Sequence, residues 1–494
     1  MRNTLFSEYF KLLAFSVFLC IISYWYTLTN FALTIDSEQY FMNTSVSMDL
    51  GRWGTNLIRC QIFGSIIPFY TLFLGLLFLS LAAVEMCHIF KLKGILSYMF
   101  CGLLLTFPQM SYQLFFTMQA DAIAIGFFAS TLAMKLYFEI GESYFTKKSI
   151  LAFFASAFLL MFVTAIYQAL IFIPIIIYII VFFQKTLKEH FDFKTEFKNT
   201  IHFIVLLLTS VVLYYISIKI FCSSDSENSF MASYTSAENN NRFIDFYNLW
   251  VDILRGNIFY GNKTFVLASL LSCVLLIKYA FGKTNFVYKL IAIFLLLFVP
   301  FFISIFITTG SPPRLYVASG IVFAFLIVQF ISTIKKFENV IIFLCLLICL
   351  TNIYFITMLF QSNYKIFDHD RKIGEKINSV IQNKYPEFNS NIGYIYFYGK
   401  LSDSEYDSFR IPKSDVFTSS FFQWDEGSNN RILNFMKFNS IANYKEITNK
   451  EDFLKIKDSI NSMSTWPRKE SVKLFGDVIV VKLGNVKGAK LAVE

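Results

Sequence analysis

The chain has 494 residues, of which 56% are hydrophobic and 16% are charged, and its formal net charge is +9. An ordinary soluble domain carries about 25% charged residues, so the composition excludes that class and favours a polytopic membrane protein. The Lys and Arg residues lie between apolar stretches and not in one basic stripe, which argues against nucleic-acid binding.

Apolar stretches recur along the chain as far as about Phe360, and a stretch of about 20 such residues crosses a bilayer core. The first runs from Leu12 to about Leu33, which is too long for a signal peptide. We expect about eleven transmembrane helices, beginning near residues 12, 66, 94, 116, 150, 169, 199, 263, 288, 315 and 339. Pro108 and Gln109 interrupt the chain between residues 94 and 140, so a re-entrant turn and an interfacial helix are both open there.

The distribution of basic residues predicts the orientation. With a cytoplasmic N-terminus, most Lys and Arg residues fall in the inner loops, as the positive-inside rule requires. An odd number of spans then places the C-terminal part on the outer side of the membrane.

Residues 361–494 mix charged and apolar positions and contain two runs typical of strands, 392–398 and 478–483. The predicted organisation is a transmembrane domain over residues 1–360 and a water-facing α/β domain over residues 361–494. We expect the second domain to cover the membrane site or to receive an acceptor.

The first outer segment, residues 35–59, carries Asp36, Glu38, Arg52 and Trp53. A carboxylate can take a proton from a sugar hydroxyl, and an arginine can hold a phosphate with two parallel hydrogen bonds. The indole of Trp53, between Gly51 and Gly54, suits stacking on a sugar. The alternatives are charges that merely solvate the loop and a tryptophan that anchors the interface.

Two further outer segments carry candidate site residues: Asp121, at the start of an apolar run, and Tyr167 and Gln168 together with Arg314. An ionisable group at a span boundary is costly unless it faces protein or water, although aspartate also caps helices. Arg314 follows two prolines and can bind a lipid phosphate or extend to the interface. Tyr167 and Gln168 can equally serve hydrogen bonding within the bundle.

The distribution of cysteine and histidine predicts neither a metal site nor a cofactor. No CxxC or Cys/His cluster occurs, and the histidines fall on the predicted inner side or in the C-terminal part. The stretch from Arg242 to Arg255 is amphipathic, and we expect it to lie as a helix in the membrane interface.

Together these residues resemble the bacterial and phage O-antigen serotype-converting membrane glucosyltransferases. The resemblance rests on these short motifs: Asp36 with Glu38, G-R-W-G at 51–54, Q-A-D at 119–121, Y-Q at 167–168, P-P-R at 312–314, and W-P with D-V-I-V-V near the C-terminus. A single D-x-E differs from the paired aspartates often seen in such first loops, which leaves the identity of the base open.

The resemblance implies a membrane all-α protein with a GT-C-like bundle and a small C-terminal α/β periplasmic domain. It also implies metal-independent transfer of a hexose, expected to be glucose, from a polyprenyl-phosphate donor to a periplasmic glycan such as O-antigen. The expected location is the bacterial inner membrane, and the expected partners are the lipid-linked donor, the glycan acceptor, membrane lipids, and proteins that make or flip the donor.

In this mechanism Asp36 is the base, and Glu38 or Asp121 orients the acceptor. Arg52 and Arg314 stabilise the departing phosphate. The competing interpretations are a lipid-linked glycan flippase or transporter, which needs a polar path through the bundle, and a non-catalytic assembly protein, in which the outer acidic groups are dispensable.

Overall fold

The computed structural model describes residues 2–42, 46–64, 67–141, 144, 146–222, 242–256, 259–280, 285–306, 312–334, 338–389, 393–447 and 450–485. The chain forms two compact units. Unit 1 comprises Met1–Thr29 and Ser45–Thr357, and unit 2 comprises Asn30–Thr44 and Met358–Glu494.

The main helices from the N-terminus onward are α1 Arg2–Ser23, α2 Pro68–Ile89, α3 Ile95–Leu105, α4 Ala120–Phe138, α5 Lys147–Ile166, α6 Phe172–Thr186, α7 Phe193–Phe221, α8 Arg242–Leu254, α9 Tyr260–Ala280, α10 Phe286–Phe298, α11 Ser319–Ser332 and α12 Glu338–Lys384. Among the described residues, seven helices are long and apolar enough to cross a membrane: α2, α4, α5, α6 with its preceding turn, α7, α9 and α12. The polytopic helical architecture is therefore confirmed, whereas the count of eleven spans stays a prediction.

Short helical segments connect the long helices of unit 1. They are Trp25–Thr29, Val46–Asp49, Trp53–Asn56, the π-helical turn Leu57–Ile62, Ser111–Leu114 and Ile303–Phe306, together with 3-10 turns at Pro108–Met110, Gln168–Ile171, Val299–Phe301 and Pro313–Leu315. Pro108 begins its turn because proline lacks the N–H that a continuing helix requires. Gln109 and Gln113 are buried there, so the interrupted region is an internal break in unit 1.

Apolar side chains on the outside of unit 1 are consistent with a lipid environment. On α7, Ile204, Leu208 and Val212 are all exposed, although they are purely apolar. In water such a surface would be costly, whereas hydrocarbon solvates it. Helix α8 is the amphipathic helix predicted from the sequence, with Trp250 and Ile253 buried. The preceding residues 223–241 and the pair Gly310–Ser311 lie outside the described part of the chain.

The helices of unit 1 bring polar groups together at two opposite ends. At one end, where α2 and α4 begin and α5 ends, lie the predicted site residues of this unit; we call it the site end. At the opposite end, Glu85 accepts hydrogen bonds from Lys135 Nζ at 2.8 Å and from the Tyr9 hydroxyl at 3.1 Å. Helices α2 and α4 span the distance between these two ends.

Unit 2 contains a four-stranded sheet in the order β2-β1-β4-β3. The strands are β1 Tyr394–Tyr398, β2 Lys445–Glu446, β3 Val472–Phe475 and β4 Val478–Lys482. Strand β1 is parallel to β2 and β4, and β3 is antiparallel to β4. Helices α13 Asn429–Phe438 and α14 Lys450–Ile460 and the short helix Ser37–Met42 complete the unit, along with 3-10 turns at Asp403–Glu405, Asp415–Thr418, Trp424–Glu426 and Lys469–Ser471. Both strands predicted from the sequence are present, and Ile392 lies outside the described residues.

The first predicted span is shorter than its apolar run. Helix α1 ends at Ser23, and the last apolar residues of the run do not continue it. Leu33 and the following Ile35 instead lie in the hydrophobic core of unit 2, beside Ile377 and Phe435. These residues are apolar because they fill a protein core, and hydropathy does not distinguish this role from a membrane span.

Candidate functional site

The G-R-W-G segment packs against the end of α5. A Cβ atom on Gly54 would lie 2.9 Å from the Ala165 carbonyl carbon and the Ile166 nitrogen, so only glycine fits without displacing backbone. The Thr55 hydroxyl donates to the Ile166 carbonyl at 2.8 Å. Gly54 thus allows the backbone of this segment to approach α5 closely.

Arg52 is held at the site end by the turn that follows α5. Its Nε donates to Gln168 Oε1 at 3.2 Å, and its guanidinium lies 4.5 Å from the centre of the Tyr167 ring. Gln168 in turn donates to the Leu50 carbonyl at 2.9 Å and to the Tyr214 hydroxyl at 3.0 Å. Within the described residues, the two terminal nitrogens of Arg52 make no hydrogen bond. They form a positioned fork that can bind an anion.

The Trp53 side chain is buried in unit 1. Its indole nitrogen donates to Ser217 Oγ at 2.9 Å, and its ring contacts Phe162 and Phe221 at centroid distances of 5.9 and 4.7 Å. These contacts lock the ring orientation and so fix the neighbouring Arg52 backbone. Stacking of Trp53 on a sugar stays a prediction.

Asp121 forms a buried ion pair with Arg59. Arg59 also donates to Thr71 Oγ1 at 3.1 Å, and the second Asp121 oxygen accepts the Ala122 N–H at 2.7 Å. The carboxylate is fully buried at the first turn of α4, where the helix dipole also favours a negative charge. The ion pair with Arg59 thus offsets the free energy cost of burying Asp121 at a span boundary. Arg59 was not predicted as a site residue from the sequence.

Arg314 lies over the Phe116 ring, with its guanidinium carbon 5.0 Å from the ring centre. Its backbone carbonyl accepts the Gln113 amide at 2.6 Å, and the Gln119 amide donates to Gln113 at 3.5 Å. Gln119 directly precedes α4, so side chains from residues 113–119 connect Arg314 to the helix that carries Asp121. The second and third predicted segments therefore meet at the site end.

Asp36 and Glu38 belong to unit 2, where both contact Arg431 of α13. Arg431 Nη2 donates to Asp36 Oδ1 at 2.8 Å, Nη1 donates to Glu38, and Nε donates to Asp425 Oδ2 at 2.6 Å. One guanidinium therefore holds three carboxylates. Asp36 adopts a positive φ of 72°, and the Ser37 N–H donates to the Thr34 carbonyl in the same turn.

The two acidic residues of the D-x-E motif differ in exposure. About a third of the Asp36 side chain is exposed, and within the described residues its Oδ2 has no hydrogen-bond partner. The Glu38 side chain is fully buried. Burial raises the pKa of Glu38 to about 7, against the attraction of Arg431, which lowers it. Asp36 is therefore the accessible carboxylate, and Glu38 lies behind it.

Arg59, Asp425 and Arg431 are the charged partners that the sequence analysis missed as site residues. Arg431 lies in an amphipathic helix 395 positions after Asp36, and no local pattern marks such a pair. Arg59 lies in the same outer segment as Asp36, Glu38 and Arg52, and this position could have marked it as a candidate site residue. Among the described residues, no group of three or more His, Cys, Asp or Glu side chains could hold a metal ion.

The sequence model of the family described as Glucosyl transferase GtrII matches residues 25–331. The chain belongs to this family. The resemblance to the serotype-converting glucosyltransferases is thereby confirmed, and with it the glucosyltransferase class of the protein. No curated protein and no solved structure matches the chain.

The range that matches the GtrII family contains all eight predicted site residues. It includes the D-x-E segment of unit 2 and the site end of unit 1. Asp425 and Arg431 lie beyond residue 331, so the matched range lacks the cation that binds Asp36 and Glu38. The acidic pair and its arginine are thus contributed by different parts of the sequence.

Proposed function

We propose that this GtrII family member is an inner-membrane enzyme that moves glucose from a polyprenyl-phosphate donor, such as undecaprenyl-phosphate glucose, to a periplasmic glycan such as O-antigen. Family membership supports the transferred sugar, and the seven apolar helices support a lipid-borne donor. The observation that carries the proposal is the geometry of the Asp36 carboxylate. Arg431 binds one of its oxygens, and the other oxygen is available to accept a proton.

Asp36 acts as the base in the proposed reaction. An acceptor hydroxyl oxygen attacks the anomeric carbon of the sugar, and the bond from that carbon to the phosphate oxygen breaks. The hydroxyl proton passes to Asp36, and the electron pair of the broken bond stays on the phosphate. Glu38, buried behind Asp36, positions Arg431 and through it the base. Asp121 has no exposed surface, so we assign it to holding Arg59.

Arg52 and Arg314 are the proposed phosphate-binding residues. Both guanidinium groups rest on aromatic rings, Tyr167 and Phe116, and Arg52 retains two unpaired terminal nitrogens among the described residues. A preorganised cation at a developing phosphate charge commonly changes the rate by about two orders of magnitude. Gln168 positions Arg52 through its 3.2 Å hydrogen bond.

The choice of donor is tested with the purified full chain in vesicles that contain lipopolysaccharide as acceptor. Polyprenyl-phosphate glucose should give a product heavier by one hexose, and UDP-glucose alone should not. Equal product from UDP-glucose without the lipid donor would contradict the proposed donor. Movement of lipid-linked glucose across the vesicle without a new glycosidic bond would favour a flippase.

A further inference from the structure

A polar cavity of about 440 Å³ lies at the opposite end of unit 1. It forms where α4 and α6 end and α7 begins, so the 19 residues of α4, about 28 Å of helix, separate it from the site end. Its lining includes Lys185, Lys188 and His190, together with Tyr137 and Tyr178. None of these residues takes part in the proposed transfer.

An apolar groove of about 610 Å³ adjoins this cavity. Its walls are Ile150, Phe153 and Phe154 of α5 and Lys198, Ile201 and Val205 of α7. Both helices are candidate membrane spans, and Phe154, Ile201 and Val205 are exposed. The groove therefore faces the region that lipid chains occupy.

Tyr144 and His202 line both the cavity and the groove. Their ring centroids are 4.4 Å apart, and His202 also contacts Phe153 at 5.1 Å. The two spaces thus share one aromatic wall. A molecule that fills both must have a polar head and an apolar chain.

The charged residues around the cavity indicate whether the polar head of such a molecule is anionic or cationic. Glu196 is paired with Lys185 at 2.8 Å, and Asp192 accepts the Thr195 hydroxyl at 2.6 Å and the Lys194 N–H at 3.1 Å. Glu196 is therefore neutralised by a cation, whereas Asp192 keeps its negative charge and has its oxygens engaged by neutral donors. By contrast, Lys188, His190 and Lys198 have no ion pair or side-chain hydrogen bond within the described residues. The unengaged groups are all basic.

We propose that the cavity and groove together bind an anionic phospholipid, whose phosphate lies near Lys188 and Lys198 and one of whose acyl chains occupies the groove. Basic pockets between membrane helices bind such headgroups by charge attraction, and the apolar chain adds selectivity over soluble phosphates. The site is independent of the proposed transfer reaction and lies at the other end of unit 1.

Native mass spectrometry of the full chain tests this proposal, with phosphatidylglycerol and phosphatidylcholine titrated in parallel. We expect the wild type to retain phosphatidylglycerol preferentially. Lys188→Gln/Lys198→Gln should weaken its binding roughly twenty- to thirtyfold, since each lysine near an anionic headgroup contributes about fivefold. Val205→Trp, which fills the groove and keeps every charge, should also weaken it.

The matched control is Lys148→Gln/Lys194→Gln, which removes two exposed lysines from the starts of α5 and α7 that do not line either space. This control should retain phosphatidylglycerol as the wild type does. Equal loss in the control would overturn the site in favour of a diffuse basic surface. Unchanged binding in Val205→Trp would overturn the acyl-chain contact. Displacement of phosphatidylglycerol by polyprenyl phosphate at far lower concentration would identify the carrier lipid as the occupant and contradict the phospholipid assignment.

Discussion

Replacing Arg431 with leucine tests the structural basis of the acidic cluster in unit 2. The change removes the one guanidinium that contacts Asp36, Glu38 and Asp425. The three carboxylates do not contribute equally to the cost. About half of the Asp425 side chain and a third of that of Asp36 are exposed, and water screens their charges.

The buried Glu38 sets the magnitude of the effect. Removing one partner of a buried ion pair costs about 3–5 kcal/mol, because the remaining charge has lost its compensation. We expect the lower end, about 3 kcal/mol, since Glu38 can escape part of the cost by binding a proton. A loss of that size makes the open state of the helix roughly a hundredfold more populated, and its amide hydrogens then exchange roughly a hundredfold faster.

Hydrogen exchange at the amides of α13 in the full chain measures this loss. At pH 8 the Arg431→Leu protein should exchange roughly a hundredfold faster than the wild type, and the difference should shrink at pH 5.5, where Glu38 is neutral. Arg371→Leu, which removes a partly exposed arginine of α12 that makes only surface ion pairs, is the control and should change little. The reasoning would be refuted if Arg431→Leu exchanged at the wild-type rate at pH 8. It would also be refuted if the double variant Arg431→Leu/Glu38→Leu exchanged as fast as Arg431→Leu, because removing the buried carboxylate should restore slow exchange.

Three further predictions concern single residues. Arg52→Lys keeps the charge but removes the fork, so the transfer rate should fall roughly a hundredfold at unchanged protein level. An unchanged rate would exclude a two-pronged contact of Arg52 with the phosphate. Burial raises the pKa of Glu38 from 4.5 to about 7, so the free energy of unfolding of wild-type unit 2 should fall by about 3 kcal/mol, relative to that of Glu38→Gln, as pH rises from 4.5 to 7. Unfolding of both proteins measured across this pH range tests this. Parallel curves for the two proteins would contradict the raised pKa. Gly54→Ala should lower the free energy of unfolding by about 1–3 kcal/mol in thermal unfolding, because the added Cβ meets the Ala165 backbone. The control Gly102→Ala should be tolerated, and equal effects of the two changes would contradict the close approach at Gly54.

Local patterns in the sequence predicted most of the secondary structure. Hydropathy located the apolar helices because a span must be apolar along its whole length, and Pro108 marked the break before α4. The β1 and β4 runs are continuous stretches of apolar and β-branched or aromatic residues, which local propensity recognises. Strand β2 has only two residues, and its formation depends on pairing with β1.

The distribution of the candidate residues between two units could not be predicted from the sequence. Residues 35–59 were interpreted as one outer segment, yet Asp36 and Glu38 belong to unit 2, and Arg52 and Trp53 belong to unit 1. The division depends on Leu33 and Ile35 packing into a core built largely from residues beyond 358. Such packing is set by long-range complementarity, which a hydropathy profile does not contain.

Glycan mass spectrometry of cells expressing the wild type or Asp36→Asn tests the central claim most directly. Asp49→Asn, an exposed carboxylate of the same sequence segment, serves as the matched control, and membrane levels of all three proteins are compared. The proposed mechanism predicts a hexose increment with the wild type and Asp49→Asn, and its loss with Asp36→Asn. A full hexose increment from a normally expressed Asp36→Asn protein would contradict the role of Asp36 as the base.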